Sequence, residues 1–165
     1  MPVFYINMLL LLDDKQHAEF GDVNHPSNAF SHWVEWAIRI PRDFKTITDA
    51  INYIHTGNTK RVIVYIGGAN YNEKIKIERT MPFMTLYGAP GNMPNLTFGG
   101  TAEKYGTVDS ATLIVESDCF VAANIIISIC NLAPRPDGER SGAQAVALRI
   151  SGDKAAFYNC KLFGF

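Results

Sequence analysis

From Arg61 onward the sequence predicts an all-β architecture, and three observations carry that expectation. Short β-rich runs recur at residues 62–66, 74–77, 84–87, 95–98, 112–115, 120–127, 145–150 and 155–160. Turn-forming clusters separate them, among them Gly67-Gly68, Gly88-Ala89-Pro90-Gly91, Gly99-Gly100, Ser117-Asp118 and Ser151-Gly152-Asp153-Lys154. Several runs do not alternate apolar and polar residues, as Ile125-Ile126-Ile127 shows, whereas a sandwich strand with one wet face favours alternation. Coil-like recurrence without a strict short repeat suits a right-handed parallel β-helix, each coil stacked on the last. The pattern by itself leaves sandwich and β-helix both open.

Composition agrees with a turn-rich globular chain. The 165 residues include 13 Gly and 8 Pro, which favours many turns over a helical bundle. That length suffices for one domain with a sizeable core. A net charge of −1 creates no global field for nucleic acid or an anionic membrane. The aromatic residues are not interleaved with a basic run, so a single-strand-binding groove is unsupported. The three cysteines, Cys119, Cys130 and Cys160, contain no C-x-x-C. They read as small buried apolar residues, with a Cys119–Cys130 bridge left open. Asn95-Leu96-Thr97 is a glycosylation sequon, relevant only in a secreted chain.

The first 42 residues read as an N-terminal extension. Residues 1–12 are apolar around Leu9–Leu12. Their length fits the apolar part of a signal peptide, but no Lys or Arg precedes them and no small-x-small cleavage site follows. A membrane span needs about twenty apolar residues, which is more than this run supplies. Residues 31–40 carry Trp33, Trp36 and Ile40 at helical spacing, a packing stripe. Residues 43–54 then predict an amphipathic helix. Phe44, Ile47, Ala50, Ile51 and Ile54 share one face, Asp43 stands at the N-cap, and Gly57-Asn58 ends it.

The final stretch is the most specific. Two short apolar runs flank the Ser151–Lys154 turn, giving strand, turn, strand. The first is apolar at every position up to Arg149, which suits a strand with little solvent on either face. Gln144-Ala145-Val146-Ala147-Leu148-Arg149, then Gly152-Asp153, then Ala156-Phe157-Tyr158-Asn159-Cys160 closely resembles pectinesterases (pectin methylesterases), above all those of plants. The resemblance runs from about Asp43 to Phe165. It includes Asn70-Tyr71-Asn72-Glu73, similar to a Gly-x-Tyr-x-Glu element of the family, with Ala69 where the leading Gly is expected.

The resemblance implies a partial right-handed parallel β-helix over residues 43–165, its first coils only, with an N-terminal capping helix. It implies de-esterification of methylated polygalacturonate (pectin) in the cell wall, by a secreted enzyme without cofactor or metal. By this likeness Gln144 supports the oxyanion formed on the ester, as a preorganised donor should, and Thr107 contacts the pectin chain. The period-two pattern alone would point Gln144 inward with Val146 and Leu148. Tyr71 and Glu73 read as structural, Tyr71 by packing and Glu73 by bonding backbone or a nearby base. In the family a Gln-Asp-Thr-Leu motif would follow Phe165, and both catalytic Asp positions, a second Gln and an Arg lie beyond it. The chain as given is therefore expected to be inactive alone. A non-catalytic pectin-binding segment is the alternative, and an unfinished stack is expected to self-associate through its open end.

Other chemistries fit poorly. No G-x-S-x-G elbow, P-loop or dinucleotide fingerprint occurs. His17, His25, His32 and His55 are scattered ahead of the β-rich region, without zinc-ligand spacing. Asp137, Glu139 and Asp153 fall in turns, where acidic residues serve local bonding. Arg135, Arg140 and Lys154 are cations that could attract galacturonate carboxylates, though isolated surface charges are usually solvated.

Overall fold

The computed structural model describes residues 6–10, 38–129 and 144–164. Eleven strands wind through three parallel ladders, one strand per ladder in each coil. The first coil is β3 (Val62–Ile66), β4 (Asn70–Asn72) and β5 (Ile75–Ile77). The second is β6 (Met84–Gly88), β7 (Asn95–Phe98) and β8 (Leu113–Val115). The third is β9 (Val121–Ala123), β10 (Ile126–Ile129) and β11 (Leu148–Ile150), and β12 (Ala156–Tyr158) with β13 (Lys161–Phe163) begins a fourth. β3, β6, β9 and β12 pair in parallel, as do β4, β7, β10 and β13, and β5, β8 and β11. This is a parallel β-helix, and the sandwich reading falls.

Stacking explains why the runs are apolar without alternating. Inward positions repeat coil by coil in register: Val64, Leu86 and Ala122 in one sheet, Leu96 and Ile127 in the next, Ile75 and Leu113 in the third. All are fully buried, and each Val, Leu or Ile among them contributes about 1.5–3 kcal/mol over exposure. Phe120 fills the interior between coils, its ring 5.9 Å from that of Phe157. The outer face of the first sheet is also covered, by Ile63, Tyr87 and Ala123 with Tyr65 and Tyr158 against them. β11 departs from the expected burial. It is half-buried to exposed because no described strand lies on its far side.

The corners repeat as well. Phe83, Cys119 and Lys154 enter the first sheet at φ 59, 57 and 58°, and Asn124 and Asn159 leave it at φ 57 and 48°. Asparagine takes this left-handed region at low cost. Asn159 Nδ2 donates to Asn124 Oδ1 at 2.8 Å, and Asn124 Nδ2 donates to the Gly88 carbonyl at 2.9 Å. The Asn124 corner divides the single run expected over 120–127 into β9 and β10. At the opposite corner, Ser151 N–H donates to the Val115 carbonyl and Asp153 N–H to Asp118 Oδ1, each at 2.8 Å. A Cβ on Gly152 would lie 2.0 Å from the Ser117 carbonyl oxygen, so only glycine lets these turns stack.

The N-terminal end differs from expectation in detail. Ile6–Leu10 forms β1 and Ile38–Phe44 forms β2; β1 lies antiparallel between β2 and β3. Ile38–Ile40 is thus strand rather than the end of a helical stripe, because its backbone bonds are made in the ladder; residues 31–37 lie outside the described residues. Helix α1 is shorter than the reading of 43–54, spanning Ile47–Asn52. Asp43 belongs to β2, and Thr46 is the N-cap, its Oγ1 accepting from Asp49 N–H at 3.0 Å. Glu73 completes the cap from the first coil. Its carboxylate accepts from Ile47 N–H at 2.9 Å, Thr48 N–H at 3.0 Å and Thr48 Oγ1 at 2.6 Å. The helix stops before Gly57 because Ile54 N–H turns back to the Ile51 carbonyl at 3.0 Å. Ile47, Ala50 and Ile51 seal the first coil's interior.

Candidate functional site

One corner of the coil is irregular. Between the second and third sheets the first coil uses only residues 73–74, whereas the second uses 99–112; in the third, the described chain resumes at Gln144 ahead of β11. A rigid scaffold with long loops at one corner is the usual place for binding groups. The second-coil loop is well tied. It contains α2 (Ala102–Tyr105), a single turn, whose Ala102 carbonyl accepts from Gly106 N–H at 2.7 Å. Ser110 N–H donates to the Gly106 carbonyl at 3.1 Å, and Ser110 Oγ donates to the Thr107 carbonyl at 2.9 Å.

Both residues singled out in the sequence sit at this corner. Thr107 is exposed in the second-coil loop, and Gln144 is exposed four residues ahead of β11. Ala102 N–H donates to the Gln144 carbonyl at 2.8 Å, and Thr112 N–H to the Val146 carbonyl at 3.0 Å. These bonds fix the Gln144 main chain against α2 and leave its amide facing solvent. The inward direction suggested by periodicity is therefore not adopted: residues 144–147 precede β11, so strand alternation does not govern them. No hydrogen bond joins the Thr107 and Gln144 side chains among the described residues. Thr112 is buried, its Oγ1 donating to the Ser128 carbonyl at 3.0 Å.

Sequence reasoning missed a cationic and aromatic cluster beside them. The Tyr105 ring packs 5.4 Å from Phe98. Lys74 Nζ lies 5.4 Å and Lys104 Nζ 5.2 Å from the Tyr105 centroid. Lys74 also pairs with Asp109 at 3.6 Å. Lys74 and Tyr105 are far apart in the chain, so only coil stacking brings them together. An open cavity of about 380 Å³ lies on the second sheet, lined by Asn70, Asn92, Asn95, Ser128 and Phe163 among others. Asn95 Nδ2 donates to Asn70 Oδ1 at 2.9 Å, and Ser128 Oγ donates to Asn95 Oδ1 at 2.8 Å. Amides and a hydroxyl beside an exposed ring suit a sugar. Neither Thr107 nor Gln144 lines this cavity.

Other candidates are accounted for structurally. Tyr71 is buried, and its hydroxyl donates to the Gly67 carbonyl at 2.9 Å. Arg149 pairs with Glu116 at 3.6 Å, and Glu116 with Lys76 at 3.4 Å, a charge ladder on the third sheet. Lys154 and Asp153 are exposed in the 151–154 turn. The sequon Asn95 is half-buried in β7 with its amide and carbonyl both engaged, a poor acceptor for a glycan. Cys119 and Cys160 are free, half-buried thiols. Burial raises the Cys160 pKa, against smaller opposing effects from nearby backbone. Cys130, Arg135, Asp137, Glu139 and Arg140 lie outside the described residues.

The pectinesterase family model matches residues 38–165, which covers every coil strand and the corner bearing Thr107 and Gln144. The chain belongs to the pectinesterase family. Pectinesterase 1 of Olea europaea is 61% identical over 124 residues, covering 74% of this chain and 34% of the relative. A crystal structure of a pectin methylesterase mutant in complex with a hexasaccharide matches with TM-score 0.62 and 29% identity, over 74% of this chain and 40% of that one. Pectin methylesterase from carrot matches with TM-score 0.61 and 23% identity, over 73% and 38%, a likeness of fold. The chain spans about a third of the length of the curated relatives it matches.

Proposed function

We propose that the chain contributes the polymer-binding side of a pectinesterase, an ester hydrolase acting on methylated polygalacturonate in the cell wall outside the cell. The observation that carries this reading is the family match over a coil stack in which the 99–112 loop and Gln144 meet at one corner. Gln144 supplies the amide donor to the ester oxyanion, and Thr107 contacts the sugar chain from the adjacent coil. The open cavity with Asn70, Asn95, Ser128 and Phe163 lies on the second sheet, and neither Thr107 nor Gln144 lines it.

Residues 43–165 form the family's β-helix portion in this reading, with residues 1–42 as an extension. The carboxylates that attack the ester and shuttle its proton occupy family positions beyond Phe165, so residues 1–165 bind without turnover. Covalent catalysis needs nucleophile, acid–base group and oxyanion donor held together. Incubating the purified chain with highly methylated pectin is expected to release no methanol above a protein-free control. Methanol release at an enzymatic rate would show that a carboxylate within these residues does the chemistry. The non-catalytic alternative predicts the same silence for every longer form of the protein, whereas a pectinesterase gains activity once the later coils are present.

Self-association is the partner reading for this chain. Leu162, Phe163 and Ile150 are 56, 52 and 38% exposed on β13 and β11, strands at the edge of their ladders. Paired end to end, two such edges would cover apolar side chains and satisfy open backbone groups together.

A further inference from the structure

The Asn70–Asn95–Ser128 ladder on the outer face of the second sheet is open at both ends. Asn70 and Asn95 are partners on β4 and β7, and Ser128 lies on β10, one coil further. Ser128 Oγ donates to Asn95 Oδ1 at 2.8 Å, and Asn95 Nδ2 donates to Asn70 Oδ1 at 2.9 Å. Both bonds run the same way. They leave the exposed Asn70 amide as a donor with no acceptor among the described residues, and the Ser128 oxygen able to accept. The Asn159–Asn124 ladder at the corner differs, because it closes on the Gly88 carbonyl. The cavity around the outer ladder, about 380 Å³, is at the small end of ligand pockets, which span roughly 300–1,000 Å³. Met93 and Ile126 are half-buried in its wall, and Phe163 is 52% exposed beside them. No lining residue among those described carries a charge, and Lys161, in register with Ile126, is not part of the lining.

We propose that this cavity is a binding site for a short, uncharged saccharide of hexose rings, away from the corner that carries Thr107 and Gln144. A sugar hydroxyl both donates and accepts, which matches the donor at the Asn70 end of the ladder and the acceptor at the Ser128 end. The C–H face of a pyranose ring packs on Phe163 and Ile126, while its hydroxyls turn to the amides. A carboxylate fits poorly, since it only accepts and no lining cation offsets its desolvation. A methyl ester brings no O–H for the Ser128 oxygen. The small volume favours a short oligomer over a long stretch of polymer. The assignment is independent of the pectinesterase reading and stands or falls without it.

The test is an NMR titration of the nitrogen-15-labelled chain, read at the side-chain amides of Asn70, Asn92 and Asn95. The probes are cellotetraose, β-1,4-galactotetraose, hexagalacturonate and methyl-esterified hexagalacturonate. At least one of the uncharged tetrasaccharides is expected to shift these amides saturably, with a Kd of about 1 mM, the scale of a small open site. The tighter of the two identifies the sugar. Asn70→Asp keeps the acceptor for Asn95 but removes the open donor, and weakens binding about tenfold, the scale of one lost hydrogen bond. Phe163→Ala weakens it about fivefold, and Phe163→Tyr, which keeps the ring, retains it. Both positions are exposed, and circular dichroism checks that each variant is folded. Absence of saturable shifts with both tetrasaccharides overturns the site, as does binding that survives Asn70→Asp and Phe163→Ala. Equal shifts from hexagalacturonate overturn it in favour of a uronate site. Shifts from the methyl-esterified hexamer alone overturn it in favour of an extended polymer-binding surface.

Discussion

Tyr71 illustrates how a residue matched to a family signature serves the fold. Its ring is buried in the first coil and its hydroxyl bonds the Gly67 carbonyl. Burial, then the nearby Glu73 and Tyr65 charges, raises its pKa above the ordinary phenol value. The unfolded chain thus releases this proton first as pH rises through about 10. Beyond that point the unfolded state binds fewer protons than the native state, so stability falls with pH. Tyr87 is raised in the same direction, mainly by burial. Urea midpoints are expected to hold steady up to about pH 9 and to decline above about pH 10. Tyr71→Phe should cost about 1 kcal/mol at neutral pH for the lost hydrogen bond and should flatten the alkaline decline. A decline of unchanged steepness in the variant would break the link to Tyr71. Residue identity made Tyr71 and Glu73 legible in the sequence as structural. Lys104 and Tyr105 were not legible, because their meaning comes from Lys74, which stacking delivers from another coil.

At the level of elements, turns decide where strands begin and end. The strands over 62–66 and 95–98 could be read directly from runs of β-formers between turn residues. β4 and β13 were harder, since three-residue strands carry little periodicity. The division at Asn124 was hidden within an apolar run, because a left-handed asparagine corner needs no glycine or proline. Ile38–Ile40 of β2 were read as the end of a helical stripe, since Trp33, Trp36 and Ile40 fall at helical spacing, and Asp43 and Phe44 as the start of a helix. Gly152 shows the same physics from the other side. Its replacement by alanine drives a Cβ toward the Ser117 carbonyl and forces two stacked turns apart. Gly152→Ala should destabilise the chain by about 1–3 kcal/mol, whereas Gly91→Ala, with nothing within 4 Å, should be near neutral. Equal denaturation midpoints for the two variants would contradict the stacked-turn account.

Over the whole molecule, the three-ladder winding makes stability a matter of neighbouring coils. α1 and the β1–β2 pair cover one end, while β11, β12 and β13 stand at the other. Sedimentation velocity at rising concentration should therefore show dimers or larger species, and Leu162→Lys on the exposed edge should shift them toward monomer. A monodisperse wild-type monomer throughout would refute end-to-end pairing. The architecture was only half legible from recurrence, which fits several β folds. The resemblance at residues 144–160 was needed to choose the β-helix, and the parallel registers bear that choice out.

The same stacking gives Gln144 its place, with the main chain fixed to α2 and the amide open to solvent. The most direct test is calorimetric titration of the chain with methyl-esterified hexagalacturonate, wild type against Gln144→Ala. The account predicts saturable binding that weakens about tenfold in the variant, the scale of one well-placed hydrogen bond. Unchanged affinity in Gln144→Ala, with the fold intact by circular dichroism, would contradict it.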